Sequence, residues 1–188
     1  PYGSMMTNSN NENKTATFSG NVYAELQPVR NLKLRSVFGA VYGSSEYRSF
    51  NPLYQFSIYT YNTTRTSATQ NMNHSLGMTW TNTAAYDWTC AKHAFNALVG
   101  MEVYRYSGTY LQAKTGALRE GFDDWDHAYV GNGTASSADD GMSVDGYPHD
   151  ESRSVSYFGR FGWNWKETYM LNATLRADGS SKFARGNR

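Results

Sequence analysis

Hydrophobic and polar residues alternate with a period of two in about six segments of the chain, which is the pattern of β-strands with one apolar and one polar face. In the clearest segment, residues 155–166, the large apolar side chains fall on every second position: Val155, Tyr157, Phe161, Trp163 and Trp165. Only Lys166, Glu167 and Thr168 separate it from the next alternating segment. The two segments are therefore predicted to form a hairpin with a tight turn.

Two more hairpins are predicted upstream, so that the three cover about residues 16–43, 74–106 and 154–178. The first turns at residues 28–31, where Pro28 cannot donate to a strand ladder. The second turns at residues 89–93, and Asn82 falls on its apolar side, so a bulge or register error is an open alternative there. A helix is the competing interpretation of residues 91–105, because His93, Ala97 and Met101 have mixed periodicity.

The connections show a systematic asymmetry in length. Turns within hairpins are a few residues long, whereas the links between hairpins, 44–73 and 107–153, are long. Structureless loops of that size are uncommon in compact soluble domains, but outer-membrane barrels combine short periplasmic turns with long extracellular loops. We therefore predict an all-β fold, an antiparallel meander of about six strands from a transmembrane β-barrel. A soluble β-sandwich that binds carbohydrate is the alternative; it explains the alternation but not the loop lengths.

The charges in the predicted strands are consistent with apolar faces that point at lipid. With that orientation eight charged residues are expected to face the barrel lumen: Glu25, Lys33, Arg35, Glu102, Arg160, Lys166, Arg176 and Asp178. A Lys or Arg turned to lipid at mid-span would cost ~2–4 kcal/mol. Aromatic residues flank two of the turns and match an interfacial girdle: Tyr86, Trp88, Trp163, Trp165 and Tyr169.

Composition narrows the class further. Aromatic residues make up 15% of the chain, yet the mean hydropathy is -0.66, a mixture that suits strands with one wet face. The net charge of +1 argues against a nucleic-acid partner. Cys90 is the only cysteine, so no disulfide forms within the chain. Because the chain begins at Pro1 and ends within a polar stretch, we expect it to be part of a longer protein.

The segment 156–183, SYFGRFGWNWKETYMLNATLRADGSSKF, resembles the mid-barrel signature of SusC/RagA-type TonB-dependent transporters. It departs from that signature at Trp163 and Trp165, where Tyr is usual, and at Thr168, where Lys is common. Residues 20–26 and 31–36 resemble an earlier hairpin of the same barrel, and residues 122–129 resemble an external loop.

The resemblance implies that the chain is a partial TonB-dependent receptor barrel, taken from a plugged barrel of roughly 22 strands in the bacterial outer membrane. It further implies a SusD-like surface lipoprotein as partner, energy delivered through TonB, and an oligosaccharide or peptide as cargo. No cofactor and no enzymatic activity are expected.

The sequence contains no convincing catalytic or metal site. The four histidines, His74, His93, His127 and His149, lack the i,i+4 spacing of a zinc site. Acidic residues around His127 match no EF-hand loop, so a solvated acidic loop is the favoured interpretation.

Aromatic residues concentrate in the first long link beside an arginine. Aromatic faces and guanidinium groups suit the binding of sugars, so one hypothesis is a ligand site composed of Tyr47, Arg48, Phe50, Tyr54, Tyr59, Tyr61 and Trp125. The alternative, which we favour, is that these side chains pack against neighbouring loops or against the lipoprotein.

Overall fold

The computed structural model describes residues 10–183, which form an antiparallel meander. The strands are β1 (Asn10–Val29), β2 (Leu32–Asn51), β3 (Tyr54–Gln55), β4 (Tyr61–Asn62), β5 (Ser67–Cys90), β6 (His93–Gly116), β7 (Ser143–Pro148), β8 (Ser152–Trp165) and β9 (Tyr169–Ser180). The main sheet has the order β1-β2-β5-β6-β8-β9, with β7 paired to β6, while β3 and β4 form a separate pair. The predicted all-β meander is confirmed.

The chain divides into two compact units. The turn-side unit consists of residues 18–42, 76–107 and 150–183 and contains the three short hairpin turns. The loop-side unit consists of residues 10–17, 43–75 and 108–149 and contains the long connections. Among the described residues, no helix is long and apolar enough to cross a bilayer.

The strands run well into the stretches that the sequence analysis assigned to loops. Residues 44–51, 67–73, 107–116 and 143–148 are strand, so the connections shorten to 52–66 and 117–142, with a break at 149–151. The reason is that backbone hydrogen bonds hold a ladder together whatever its side chains are. A strand whose two faces are both polar therefore shows no alternating pattern in the sequence. Residues 91–105 are not helical, since all but the Ala91-Lys92 turn belong to β6.

The strand register places the predicted apolar residues on a single face of the turn-side unit. Phe95 pairs with Trp163, which pairs with Leu171, and Ala97 pairs with Phe161, which pairs with Ala173. Opposite residues in an antiparallel pair share a face. The resulting apolar face contains Phe95, Ala97, Val99, Met101, Tyr157, Gly159, Phe161, Trp163, Leu171, Ala173 and Leu175.

This apolar face is exposed. Leu175 is 79% exposed, Val99 62% and Leu171 55%. In a β-sandwich these side chains would form the core between two sheets and would be buried. The exposure therefore disfavours the soluble sandwich. It agrees with a sheet whose apolar side contacts an apolar environment other than a second sheet.

Rings accumulate at the end of the apolar face nearest the short turns. Trp88 stacks on Phe95 with ring centroids 4.7 Å apart, His93 lies 5.8 Å from Trp163, and Trp165 lies 5.5 Å from Tyr169. We call this set the aromatic band: Tyr86, Trp88, His93, Phe95, Trp163, Trp165 and Tyr169. The girdle expected from the sequence is thus continuous across four strands.

The opposite face of the turn-side unit is polar and internally paired. Arg176 Nε donates to Asp178 Oδ1 at 2.8 Å, and Arg176 Nη2 lies 3.5 Å from Glu102 Oε1. Glu25 and Lys33 also pair, at 3.3 Å. Lys166 differs from its prediction, because it lies in the β8–β9 turn with a positive φ and its Nζ stands 4.9 Å above the Trp165 ring.

We predict that Gly100→Ala destabilises the folded protein by ~1–3 kcal/mol. A Cβ at Gly100 would overlap the Phe158 ring on the polar face, so the phenyl ring must move. The measurement is the urea midpoint of the full-length protein in bilayers. Gly20→Ala is the matched control, because nothing lies within 4 Å of its Cβ position. Equal effects of the two substitutions, or no relief of the Gly100→Ala cost in a Phe158→Ala background, would contradict this packing.

Candidate functional site

Arg48, near the end of β2, is held between two aromatic rings of the long connection 117–142. Its guanidinium carbon lies 3.9 Å from the Trp125 ring centre and 4.5 Å from that of Tyr129. Arg48 Nη1 also donates to the Trp125 carbonyl oxygen at 3.3 Å. Because the side chain is only 14% exposed, these cation–π contacts are partly desolvated and correspondingly strong.

A small apolar core lies beside this arginine. It consists of Phe50, Ala68, Leu118 and Ala128, with Trp125 packed against it. Phe50 is 5% exposed, so its ring is not available to a ligand. The core forms because alternation continues in β2 and β5 and turns Phe50 and Ala68 toward the connection.

Hydrogen bonds fasten the connection to β5 and to Thr66, the residue that precedes β5. Thr66 accepts twice, at its Oγ1 from Leu118 N at 2.9 Å and at its carbonyl oxygen from Ala117 N at 2.8 Å. Gln70 Oε1 accepts from Val130 N at 3.0 Å. These bonds satisfy the backbone of a segment that has almost no regular structure of its own.

A small polar cavity of about 130 Å³ opens next to Arg48. Its lining combines two carboxylates, two cations and two amides, and the lining residues are Glu12, Lys14, Glu46, Tyr47, Arg48, Gln70, Asn71, Met72 and Tyr129. Lys14 pairs with Glu12 at 3.2 Å, and Arg48 Nη2 lies 3.9 Å from the same carboxylate. A cavity of this size and polarity suits an ordered water cluster or one small polar group.

The other predicted aromatic residues lie on the β3–β4 hairpin. Tyr54 stacks on Phe56 with ring centroids 4.9 Å apart. At the tip, Ser57 Oγ accepts from the backbone amides of Tyr59 and Thr60 at 3.1 and 3.0 Å, which orders the turn. Tyr59 is nevertheless 89% exposed.

Six of the seven predicted ligand residues therefore fall into two groups. Arg48, Phe50 and Trp125 come together as packing around the long connection, whereas Tyr54, Tyr59 and Tyr61 belong to the hairpin. Tyr47 lines the small cavity. Tyr129 and Gln70 were missed by the sequence analysis. The only signal for Tyr129 was its position four residues after Trp125, and Gln70 gave none.

The acidic connection does not gather into a metal site within the part of the chain that the structure describes. Asp124 Oδ1 instead accepts from the His127 backbone amide at 2.9 Å and lies 2.9 Å from His127 Nδ1. The hydrogen bond from the His127 side chain lowers the pKa of Asp124, since it favours the carboxylate.

Solved structures with the same fold are chains from structures described as the RagAB peptide transporter or importer. One match, from "Structure of the RagAB peptide transporter", has a TM-score of 0.82 and 21% identity and covers 98% of this chain. This chain has the fold of part of a RagAB transporter chain. The RagAB peptide importer matches in its "open-open" state with a TM-score of 0.83 at 21% identity over 98% of this chain, and in its "closed-closed" state with 0.82 at 20% over 97%.

The chain spans 19% of the length of each of these RagAB chains. No protein-family description and no curated protein matches the sequence. The likeness to RagAB thus confirms the predicted fold.

We predict that Arg48→Gln loosens the long connection, because glutamine removes the charge and the stacking between Trp125 and Tyr129. Hydrogen exchange of amides 125–133 should accelerate about tenfold, the equivalent of ~1.4 kcal/mol of local stability. The exchange rate of Arg48→Lys should lie between those of the wild type and Arg48→Gln, since lysine keeps the charge but not the planar stack. Arg119→Gln, an exposed arginine of the same connection, is the control. Unchanged exchange in Arg48→Gln would refute the clamp.

We predict that the Asp124–His127 turn loosens in acid. The pKa of Asp124 lies below its ordinary value of 3.8. The contribution of the Asp124 carboxylate to the stability of this turn is therefore complete above that value. It is lost as the pH falls through the lowered pKa. The measurement is the exchange of the His127 amide as a function of pH. Asp124→Asn should remove the acid-dependent step, and an identical step in that variant would disprove the assignment.

Proposed function

We propose that this chain forms part of the wall of a bacterial outer-membrane active importer. The observation that carries the proposal is the exposed apolar face of the turn-side unit, bordered by the aromatic band. Small apolar and aliphatic side chains such as Ala97, Val99 and Leu175 follow the band along the strands. This zonation suits a bilayer, whose interface accepts aromatic rings and whose interior accepts only apolar groups.

The sheet edges support a place in a larger barrel. Within the described residues, β1 and β9 each have one neighbouring strand. Hydrocarbon offers no partners for the backbone groups of an unpaired edge, so a membrane sheet must close. We infer that the full-length protein supplies further strands, on the plan of a plugged barrel of roughly 22 strands.

The opposite, polar face would then line the lumen. Some of its charges are paired with one another, as in Arg176 with Asp178 and Glu102. Paired charges suit a wall that faces water or a polar plug and that performs no catalysis. The proposed role is therefore transport and not enzymatic chemistry.

We propose a peptide or an oligosaccharide as cargo, with uptake energised through TonB and assisted by a SusD-like lipoprotein. The family resemblance supports all three, and the RagAB neighbours are described as peptide transporters. Within the loop-side unit, Tyr59 and Tyr61 are the predicted ligand residues most available to cargo or partner. Arg48, Phe50 and Trp125 would act indirectly, by fixing the connection.

Lipid exposure can be tested with two neighbouring residues on opposite faces. Leu175→Arg should destabilise the full-length protein in bilayers by ~2–4 kcal/mol, because the guanidinium would face hydrocarbon. Thr174→Arg, on the polar face, should be tolerated. In a soluble protein the exposed Leu175 would accept arginine without cost. Equal stability of the two variants would therefore overturn the membrane placement.

Cargo can be tested by uptake of labelled peptides and oligosaccharides into cells that express the full-length protein. We expect one cargo class to accumulate, and its accumulation to stop when TonB is deleted. Tyr59→Ala and Tyr61→Ala should lower uptake several-fold, roughly 1 kcal/mol each. Tyr147→Ala, another exposed tyrosine, is the control. Uptake that is independent of TonB would refute the energised mechanism.

A further inference from the structure

His93 occupies a defined chemical state within the aromatic band. The Trp163 indole nitrogen lies 3.0 Å from His93 Nδ1. An indole N–H can only donate, so Nδ1 must be the acceptor and the ring proton must sit on Nε2. This geometry leaves Nε2–H as the ring donor that can bind a partner.

Two lysines lie in the adjoining hairpin turns: Lys92 directly precedes His93, and Lys166 directly follows Trp165. The backbone amide of Lys166 donates to the Lys92 carbonyl oxygen at 3.0 Å, which joins the two turns. Lys166 Nζ stands over the Trp165 ring, and Trp165 is the register partner of His93. Within residues 10–183 neither lysine forms an ion pair. Glu167 is the acidic residue of the β8–β9 turn, which also contains Lys166. The turns thus carry an excess of positive charge.

A groove begins on the same face, directly beyond the aromatic band. Small residues form its floor, namely Ala97, Gly159, Ala173 and Ala177. Larger apolar side chains border it, including Val99, Phe161 and Leu175, and its volume is about 800 Å³. The His93–Trp165 pair and the Val99–Gly159 pair are six residues apart along the strands, a distance of about 20 Å. That length is of the order of one leaflet's share of a hydrocarbon core about 30 Å thick.

We propose that the apolar face binds a glycerophospholipid of the leaflet nearest the short turns, with its phosphate at His93 and Lys166 and one acyl chain in the groove. The phosphate accepts from His93 Nε2–H and from the Lys166 ammonium group, and Lys92 adds positive charge. The Trp163–His93 bond positions the donor. This inference rests on the proposed membrane placement, but not on the cargo, the partner or the energy source.

The combination of features selects this occupant. An apolar groove alone would accept any hydrocarbon, and lysines alone would accept any anion. Donors at the interface end and a groove that runs toward mid-span match a molecule with an anionic head and an apolar tail.

The test is native mass spectrometry of the delipidated full-length protein, titrated with dioleoylphosphatidylglycerol and, separately, with dioleoylglycerol, which lacks the phosphate. We expect the wild type to retain the phospholipid about tenfold more strongly, as for a charge-assisted contact. His93→Phe, which keeps a ring in the stack, and Lys166→Gln should each remove most of that preference. Ala173→Leu, which fills the groove, should weaken the binding of both lipids.

Two matched controls accompany these variants. Lys114→Gln removes an exposed lysine of the loop-side unit, and Asn172→Leu enlarges an exposed residue on the polar face that does not line the groove; both should bind as the wild type does. Equal binding of the two lipids by the wild type, or an equal loss in Lys114→Gln, overturns the proposal. So does a change of oligomeric mass in Ala173→Leu, which would assign the groove to a second copy of the protein.

The outcome is separable from that of the proposed function. If Leu175→Arg is destabilising while His93→Phe and Lys166→Gln bind phospholipid normally, only this inference fails. If Leu175→Arg is tolerated, the membrane placement itself fails.

Discussion

The antiparallel backbone ladder is the constraint on which the other features depend. Because its side chains alternate strictly, one choice of register assigns every residue to one of two faces. Phe95, Trp163 and Leu171 reach the same side only because β6, β8 and β9 pair as they do. A slip of one residue would turn Arg176 and Glu102 to the apolar side. The separation of apolar from charged residues is therefore a consequence of pairing.

The two units use the same strands for different purposes. In the turn-side unit the rings lie on one exposed face, and Arg176 pairs with Asp178 and Glu102 on the opposite face. In the loop-side unit a small core and the Arg48 clamp order the long connection. One set of strands thus carries an exposed apolar face in the turn-side unit and a packed long connection in the loop-side unit.

The position of Lys166 shows how turn geometry alters a pattern-based assignment. Alternation carried past Trp165 would place Lys166 on the polar side. The chain instead ends the strand at Trp165 and enters positive φ at Lys166 and Glu167, which brings the ammonium group over an indole. The lysine therefore lies with the aromatic band, where it contributes to the polar border of an apolar face.

The sequence alone determined the all-β class, the three short turns, and the members of the apolar face, because alternation is a local property of the chain. It did not determine where the strands end: Pro28, assigned to the first turn, belongs to β1, and the β6–β7 ladder lies within a stretch assigned to a loop. It also placed Phe50 and Tyr59 in one ligand site, although one ring is buried and the other exposed. Which side chains meet across the long connection, as Arg48 meets Tyr129, depends on contacts between residues distant in sequence, and only the tertiary structure decided them.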